Sequence, residues 1–196
     1  SCMETATELE DGGATSVAVS MQEAYEAVEV MAGGIIAASE GYEFLTNELP
    51  GWADTLHPFI SGRMNTGRYS LALDYMTARR RVQELWLRAD AQLAEVDVLA
   101  VPTVPITPPI VSDVEDTESY ITANMLCLSN TMAGNSLNLC GITIPAGLDK
   151  AGMPVGLQLL ARNNSEEILL AVALAIEAKI GKPAERLGTP PLGGSL

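Results

Sequence analysis

The sequence is poor in several residues that common catalytic sites require. Its 196 residues include one histidine, His57, which stands directly before Pro58 and Phe59. A Ser-His-Asp triad would depend on this histidine, and no serine pattern places a nucleophile beside it. Gly134-Asn-Ser136 does not form a GxSxG motif either, because Asn138 occupies the position of the second glycine. We therefore predict that His57 is a loop or packing residue.

Cysteine is also scarce. The chain has three, Cys2, Cys127 and Cys140, and no CxxC pair or metal-ligand spacing relates them. An odd number without such spacing indicates free, buried thiols in a reducing compartment, which predicts a cytoplasmic protein. Glycine-rich nucleotide-binding motifs of the GxGxxG and Walker types are missing as well. The sequence therefore predicts no metal site and no cofactor.

Positive charge is missing from the first third of the chain. Residues 1–62 contain no lysine or arginine, and the formal net charge of the whole chain is −14. Such a segment repels phosphate backbones, so we expect no nucleic-acid binding by this chain. Four arginines then cluster in one predicted helix, Arg79, Arg80, Arg81 and Arg88. We expect these arginines to pair with nearby carboxylates.

Long hydrophobic runs do not occur. A membrane span needs roughly 18 apolar residues, and the closest candidate, residues 33–38, is far shorter. The first residues are acidic, which argues against a signal peptide, and Ser1 stands where a complete gene product has methionine. We therefore expect no membrane partner, and we expect the chain to belong to a longer gene product.

Two apolar runs near the C-terminus predict a β-hairpin. Residues 141–146 and 155–161 are rich in β-branched and aliphatic side chains, which are typical of buried strands. Between them, Gly147, Asp149 and Gly152 provide residues that favour turns, because glycine accepts positive φ and aspartate bonds its own backbone.

Apolar periodicity predicts the remaining elements. The clearest is a helix over residues 70–95, in which apolar residues recur at steps of four and three from Leu71 to Leu93. The other predicted strands are 14–20 and 97–101. The other predicted helices are 2–10, 119–133, 165–179 and one that begins at residue 21 and runs into the forties, with a weak point at Gly33-Gly34. Together they predict an α/β fold with a mixed β-sheet flanked by helices. We expect one domain over residues 1–185 and a loosely ordered tail at 186–196.

The hairpin region carries a family resemblance. Asn138-Leu-Cys-Gly-Ile-Thr-Ile-Pro-Ala-Gly147, followed by Gly152-Met-Pro-Val-Gly-Leu-Gln-Leu-Leu160 and a helix with glutamates, resembles the C-terminal part of the amidase signature family. Members of that family are serine amide hydrolases and include the A subunit of the glutamyl-tRNA amidotransferase. The resemblance extends over nearly all of this chain but covers only part of a family member.

The resemblance implies chemistry whose catalytic residues lie outside this chain. The family uses a lysine, a bridging serine and a nucleophilic serine, so that a neutral lysine activates the nucleophile through the second serine. The lysines here, Lys150, Lys179 and Lys182, fall in a turn and at a helix end, and Gly193-Gly-Ser195 is terminal. We therefore expect no catalytic residue in this chain and no activity from the chain alone. The implied partners are the N-terminal catalytic half of the same enzyme and a small amide substrate.

Four residues are implied in substrate binding. Arg63, ahead of Gly67, falls at the position of an arginine that recognises glutamine in the amidotransferase, and Thr131 falls at the position of its aspartate. Thr103 lies in a Pro-Thr-rich loop that lines the cleft in the family, and Asn135 begins the motif region. A neutral threonine cannot balance an ammonium group, which favours a general amidase over glutamine use. Surface ion pairing for Arg63 and packing towards the core for Thr131 remain alternatives.

Three functions are left open. The first is part of an amidase that hydrolyses a carbon–nitrogen bond through an acyl-serine intermediate. The second is a glutaminase that resembles the A subunit of a tRNA-dependent amidotransferase, and the third is a truncated or interaction domain without catalysis. A chain lacking its natural neighbours would expose apolar area and tend to associate, so a homodimer is a further alternative.

Overall fold

Helices make up most of the chain, and they surround a small sheet. The computed structural model describes residues 2–188; of residues 2–4 it gives the backbone alone. The helices are α1 (Cys2–Glu10), α2 (Gln22–Ala32), α3 (Ile35–Asn47), α4 (Pro58–Asn65), α5 (Ala72–Leu93), α6 (Thr117–Ser136), α7 (Glu166–Ile180) and α8 (Pro183–Leu187). The strands are β1 (Leu99–Pro102), β2 (Cys140–Leu148) and β3 (Pro154–Ala161).

The sheet has the order β1-β3-β2, and the predicted hairpin is its larger part. In the hairpin, Thr143 pairs with Gln158 and Gly141 with Leu160. The α/β class is confirmed; within residues 2–188, both strand pairings are antiparallel, whereas we expected a mixed sheet. A register shift between Pro145 and Gly147 marks a bulge, and it falls at a proline that cannot donate to the ladder.

The two faces of the sheet pack against different helices. One face joins α7 in an apolar cluster made of Ile144, Ala146, Leu157, Leu159, Ala161, Leu169, Ala173, Ile176 and Ile180. A second cluster joins α2, α5 and the end of α6 through Met21, Ala27, Leu85, Ala89, Leu93 and Leu137. Leu99 of β1 packs against this second cluster. The sheet is therefore the central layer between α7 and the long helices.

The long predicted helix is confirmed as α5, and the burial of its apolar stripe rises along its length. Leu71, directly before the helix, is 66% exposed, whereas Leu85 is fully buried. The arginines of α5 form the expected ion pairs: Arg79 with Glu40, Arg80 with Glu84, Arg81 with Glu26 and Glu84, and Arg88 with Glu23 and Glu26. The acidic first third of the chain is thus partly neutralised by this one helix.

Two elements differ from their predictions. The strand predicted at residues 14–20 is wrong, because this segment is exposed and pairs with no strand among the described residues. The predicted helix beginning at Met21 is two helices, separated at the expected weak point. There Gly34 has φ 73°, a conformation that glycine adopts without steric cost.

The C-terminal segment is held to the first helix. Arg186, the first residue of the predicted tail, donates hydrogen bonds to both carboxylate oxygens of Glu8 at 2.9 and 3.1 Å, and to the carbonyl of Ala146 at 3.0 Å. The remaining residues 189–196, including Gly193-Gly-Ser195, lie outside the described residues. Among the described helices, none is both long and apolar enough to cross a bilayer.

Candidate substrate cleft

Strand alternation gathers polar residues on the face of the sheet that points away from α7. In β3, Gly156, Gln158 and Leu160 point to this face, because side chains alternate along a strand. Residues paired directly across an antiparallel ladder share a face, so Thr143 and Gly141 of β2 join them. This face therefore combines two polar side chains with two glycines.

A cleft of about 240 Å³ opens between this face and α6. Its lining is Thr131, Gly134, Asn135, Leu139, Gly141, Ile142, Thr143, Gln158 and Leu160. The set contains four neutral polar side chains and no charged one. A cleft of this composition suits an uncharged ligand group that both donates and accepts hydrogen bonds.

Two glycines let the helix and the sheet approach each other at this cleft. A β-carbon on Gly134 of α6 would lie 3.1 Å from Cδ2 of Leu160, and one on Gly141 of β2 would lie 2.9 Å from the same atom. Side chains at these positions would displace Leu160 and fill the space beside it. Gly134 and Gly141 therefore set the distance between α6 and the sheet at the cleft.

Thr103 reaches the rim of the cleft through β3. Its N–H donates to the carbonyl of Gly156 at 2.9 Å, which continues the pairing of β1 by one residue. Its Oγ1 lies 3.1 Å from Oγ1 of Thr143. The two threonines meet over Gly156, where an added β-carbon would lie 2.6 Å from each side chain. Glycine at this position therefore permits the hydroxyl pair.

The structure brings three of the four predicted site residues together. Thr131 and Asn135 line the cleft one helical turn apart, and Thr103 joins it through Thr143. Thr131 donates its hydroxyl proton to the carbonyl of Leu128 at 3.0 Å, so its oxygen can serve a further partner only as an acceptor.

Arg63 lies elsewhere, on α4. It is not among the residues that line the cleft, and the ion pairs formed between described residues do not include it. Its role in substrate binding stays a prediction. Its helix packs on the start of α6 through the rings of Phe59 and Tyr120, whose centroids are 4.8 Å apart. His57 is exposed, caps this helix by accepting from the N–H of Phe59 and contacts the Phe59 ring, which agrees with the predicted loop or packing role.

A larger cavity of about 510 Å³ separates α3 from α4. Tyr42, Leu45, Thr46, Pro50, Ala53, Asp54, Leu56, Ser61, Met64 and Asn65 line it. It contains one charged side chain and none of the residues of the family motif. The cleft beside α6, although smaller, is therefore the better candidate for a functional site.

Gln158 is a cleft residue that the sequence did not reveal. Gln158 is 9% exposed, and its Oε1 has no hydrogen-bond partner among the described residues. A single glutamine inside an apolar run does not reveal its surroundings. The hairpin register could have identified it, because counting residues back from the turn places Gln158 opposite Thr143.

The hairpin turn also positions the Pro-Thr loop. The carboxylate of Asp149 accepts hydrogen bonds from the N–H groups of Ala151 and Met153 at 2.8 and 2.9 Å, and from the hydroxyl of Thr107 at 2.8 Å. The backbone of Met153 and the Thr107 hydroxyl hold the pKa of Asp149 below its ordinary value. Asp149 therefore fixes both the turn and the loop that follows Thr103.

This carboxylate predicts an acid-sensitive contribution to stability. Because the pKa of Asp149 is lowered on folding, its contribution is complete above the unfolded value of about 3.9 and is lost as the pH falls through the folded value. We expect Asp149→Asn to flatten the acid limb of the free energy of unfolding measured by urea denaturation between about pH 2 and 6. An unchanged limb in Asp149→Asn would refute the assignment.

Comparison with known proteins identifies the family. The family model described as Amidase matches residues 1–170, so the chain belongs to the amidase family, and the resemblance stated from the sequence is confirmed. Among curated relatives, the 2-amino-5-chloromuconic acid deaminase of Comamonas testosteroni is 35% identical over 184 residues. That match covers 94% of this chain and 40% of the deaminase.

Other relatives extend the comparison. The A subunit of the glutamyl-tRNA(Gln) amidotransferase of Halobacterium salinarum is 34% identical over 130 residues, covering 64% of this chain and 30% of that protein. Among solved structures, the Kluyveromyces lactis allophanate hydrolase superposes with a TM-score of 0.77 at 21% identity, over 91% of this chain and 29% of that one. The 6-aminohexanoate cyclic dimer hydrolase gives 0.76 at 17% identity, over 96% and 42%. The chain thus has the fold of these enzymes and spans less than half of each.

Proposed function

We propose that this chain is the part of an amidase that forms one wall of the substrate cleft. The observation that supports the proposal is the uncharged cleft between α6 and the hairpin, where Thr143 and Gln158 of the family motif face Thr131 and Asn135 of α6. In the complete enzyme a serine hydroxyl would attack the amide carbonyl, the amine would leave with a proton, and water would hydrolyse the acyl-serine.

The catalytic serine–serine–lysine set would come from the N-terminal half of the same enzyme. The lysines of this chain, Lys150, Lys179 and Lys182, are all exposed. The mechanism needs a lysine kept neutral, and burial or neighbouring cations are what favour that state. The proposed partners are therefore that catalytic half and a small amide, and the chain alone would not turn over substrate.

The lack of a charged side chain in the cleft lining indicates the charge of the substrate that it would bind. Thr131 stands where the amidotransferase resemblance expects an aspartate, and no carboxylate lines the cleft. A substrate with a free ammonium group would find no counter-charge here, and desolvating it would cost binding free energy. We therefore propose an amide without a charged α-amino group, hydrolysed by a general amidase. Arg63 would act from outside this cleft, from the α4 side of α6.

Reconstitution with a catalytic half tests the proposal. The chain would be co-expressed with the part of the Comamonas testosteroni deaminase that its match leaves uncovered. We expect ammonia release from small neutral amides by the purified pair, and none from either part alone. A pair that co-elutes on size exclusion yet releases no ammonia from any amide would instead support the interaction domain without catalysis.

A second candidate is a glutaminase in a tRNA-dependent amidotransferase. The 34% identity to the Halobacterium salinarum protein favours it, whereas Thr131 opposes it. The same reconstituted pair separates the two, because a general amidase should prefer neutral amides to glutamine. Thr131→Asp should then improve the use of glutamine, since the new carboxylate can balance its ammonium group. Wild-type activity confined to glutamine would favour the second candidate.

The remaining proposals concern the setting of the chain. The thiols of Cys127 and Cys140 are free and half-buried, which supports a cytoplasmic location.

We propose that residues 1–185 act as one domain, because the sheet contacts helices from both ends of the chain. Exposed apolar residues on α5 and α7, such as Leu73, Leu87 and Leu174, would pack on the catalytic half or on a second copy.

A further inference from the structure

Gln158 has an unusual position for an amide side chain. It lies in the middle of the central strand, is 9% exposed, and borders the cleft beside Thr131 and Thr143. Its Oε1 is buried without a hydrogen-bond partner among the described residues. A buried polar atom in this state has lost its hydration and gained nothing in return, so it requires a physical explanation.

The immediate surroundings of Gln158 offer no internal partner. Its neighbours across the sheet are Val101 on β1 and Thr143 on β2. The Thr143 hydroxyl is paired with Thr103 at 3.1 Å, and the nearest residue on the same face, Leu160, is apolar. Because Oε1 itself is buried, the Gln158 side chain would turn its amide towards the cleft when a ligand binds, a rotamer change that leaves the strands in place.

The chemistry of the amide defines what it would bind. A glutamine side chain offers one carbonyl acceptor and two N–H donors on adjacent atoms. The complementary group is another carboxamide, which can donate to Oε1 and accept from Nε2 at once. A carboxylate can only accept, and an ammonium can only donate, so each would leave part of Gln158 unsatisfied in a cleft without counter-charges.

We propose that Gln158 is a specificity-determining residue that binds a neutral carboxamide group of the substrate. The inference rests on the proposed amidase function and adds the residue that distinguishes an amide from the acid of the same shape. A group built to hydrogen-bond a ligand rejects analogues that lack the matching atoms, because its own polar atoms are then left unpaired.

The test uses the isotope-labelled chain and two probes of nearly equal shape, propionamide and propionate. We expect propionamide to shift the side-chain NH₂ resonances of Gln158 in a two-dimensional ¹H–¹⁵N spectrum. Propionate should bind more weakly by about tenfold or more. Gln158→Leu and the longer Gln158→Met should each weaken propionamide binding by a similar factor, and the spectrum itself reports whether either variant is folded. Gln83→Leu, at an exposed glutamine on α5, is the matched control and should bind as the wild type does.

Three results would overturn the inference. They are equal binding of propionamide by the wild type and either Gln158 variant, equal binding of both probes, and no shift of the Gln158 side chain up to the solubility limit of propionamide. The proposed function is tested separately by ammonia release from the reconstituted pair. A pair carrying Gln158→Met that keeps the wild-type KM for a neutral amide would refute the role of Gln158 while leaving the amidase proposal intact.

Discussion

Replacing Gly67 with alanine is expected to lower the free energy of unfolding by about 3 kcal/mol, the upper part of the usual range for overpacking. Gly67 lies in the short helical turn Thr66–Tyr69, against the middle of α3. A β-carbon there would overlap the carbonyl of Ala38 and lie 2.8 Å from the backbone N of Ser39. Backbone atoms inside a helix cannot rotate away as a side chain can, so α3 and the turn would have to separate.

Gly62→Ala is the matched control for this effect. Gly62 is exposed within α4, and an added β-carbon would meet no atom within 4 Å. Because glycine is a poor helix former, this change should raise the free energy of unfolding by about 0.5–1 kcal/mol. Urea denaturation of both variants measures the difference. Equal effects of the two substitutions would show that the approach of the Gly67 turn to α3 contributes nothing to stability.

The Gly67 contact also concerns Arg63. The same turn continues directly from α4, so its packing on α3 sets the position of that helix. A variant that loosens the turn should displace Arg63 relative to α6. Any binding role of Arg63 would then weaken together with stability.

Replacing Arg186 with methionine is expected to cost about 2–3 kcal/mol. The Arg186 side chain is 16% exposed, and besides Glu8 and Ala146 it donates to the carbonyl of Ile180 at 3.0 Å and to Oγ1 of Thr5 at 3.1 Å. Methionine keeps much of the apolar stem but removes every donor. Hydrogen bonds to a charged group contribute about 1.5–3 kcal/mol each, and the exposure of Glu8 reduces their share here.

Arg80→Met provides the control for Arg186. Arg80 lies 3.9 Å from Glu84 on the exposed side of α5, and such pairs contribute about 0.5 kcal/mol or less. Thermal or urea unfolding should therefore separate the two arginines clearly. If Arg186→Met proved as mild as Arg80→Met, the attachment of the C-terminal segment to α1 would be energetically unimportant.

The parts of the fold that followed from the sequence are those with strong local signals. The α5 helix follows from its apolar period, and the hairpin follows from two apolar runs around Gly147, Asp149 and Gly152. The strand predicted at residues 14–20 was wrong because an alternating pattern of side chains does not by itself supply a partner strand. The segment is exposed in the structure. The separation of α2 from α3 was only partly foreseen, since the sequence marks Gly33-Gly34 as weak but does not give the φ of Gly34.

The site was predictable only as far as the family motif extends. Thr131 and Asn135 were named from that motif, and the structure places both in one cleft with Thr143. Gln158 was part of the same motif but was not singled out, because its missing hydrogen-bond partner is a property of the packed sheet. Arg186 was assigned to a tail because Gly and Pro surround it, and its five hydrogen bonds depend on residues far away in sequence.

The strand order has a consequence for how the cleft is assembled during folding. Although β3 is the last strand among residues 2–188, it lies between the other two. It meets β2 across the short turn at residues 149–153, but it meets β1 only after the intervening residues 103–153 have closed into a loop, which costs more chain entropy. Thr143 and Gln158 can therefore come together through local contacts, whereas Thr103 arrives by long-range docking. The hairpin face of the cleft can thus form from neighbouring segments, whereas the Thr103 hydroxyl is added at its rim only when β1 docks.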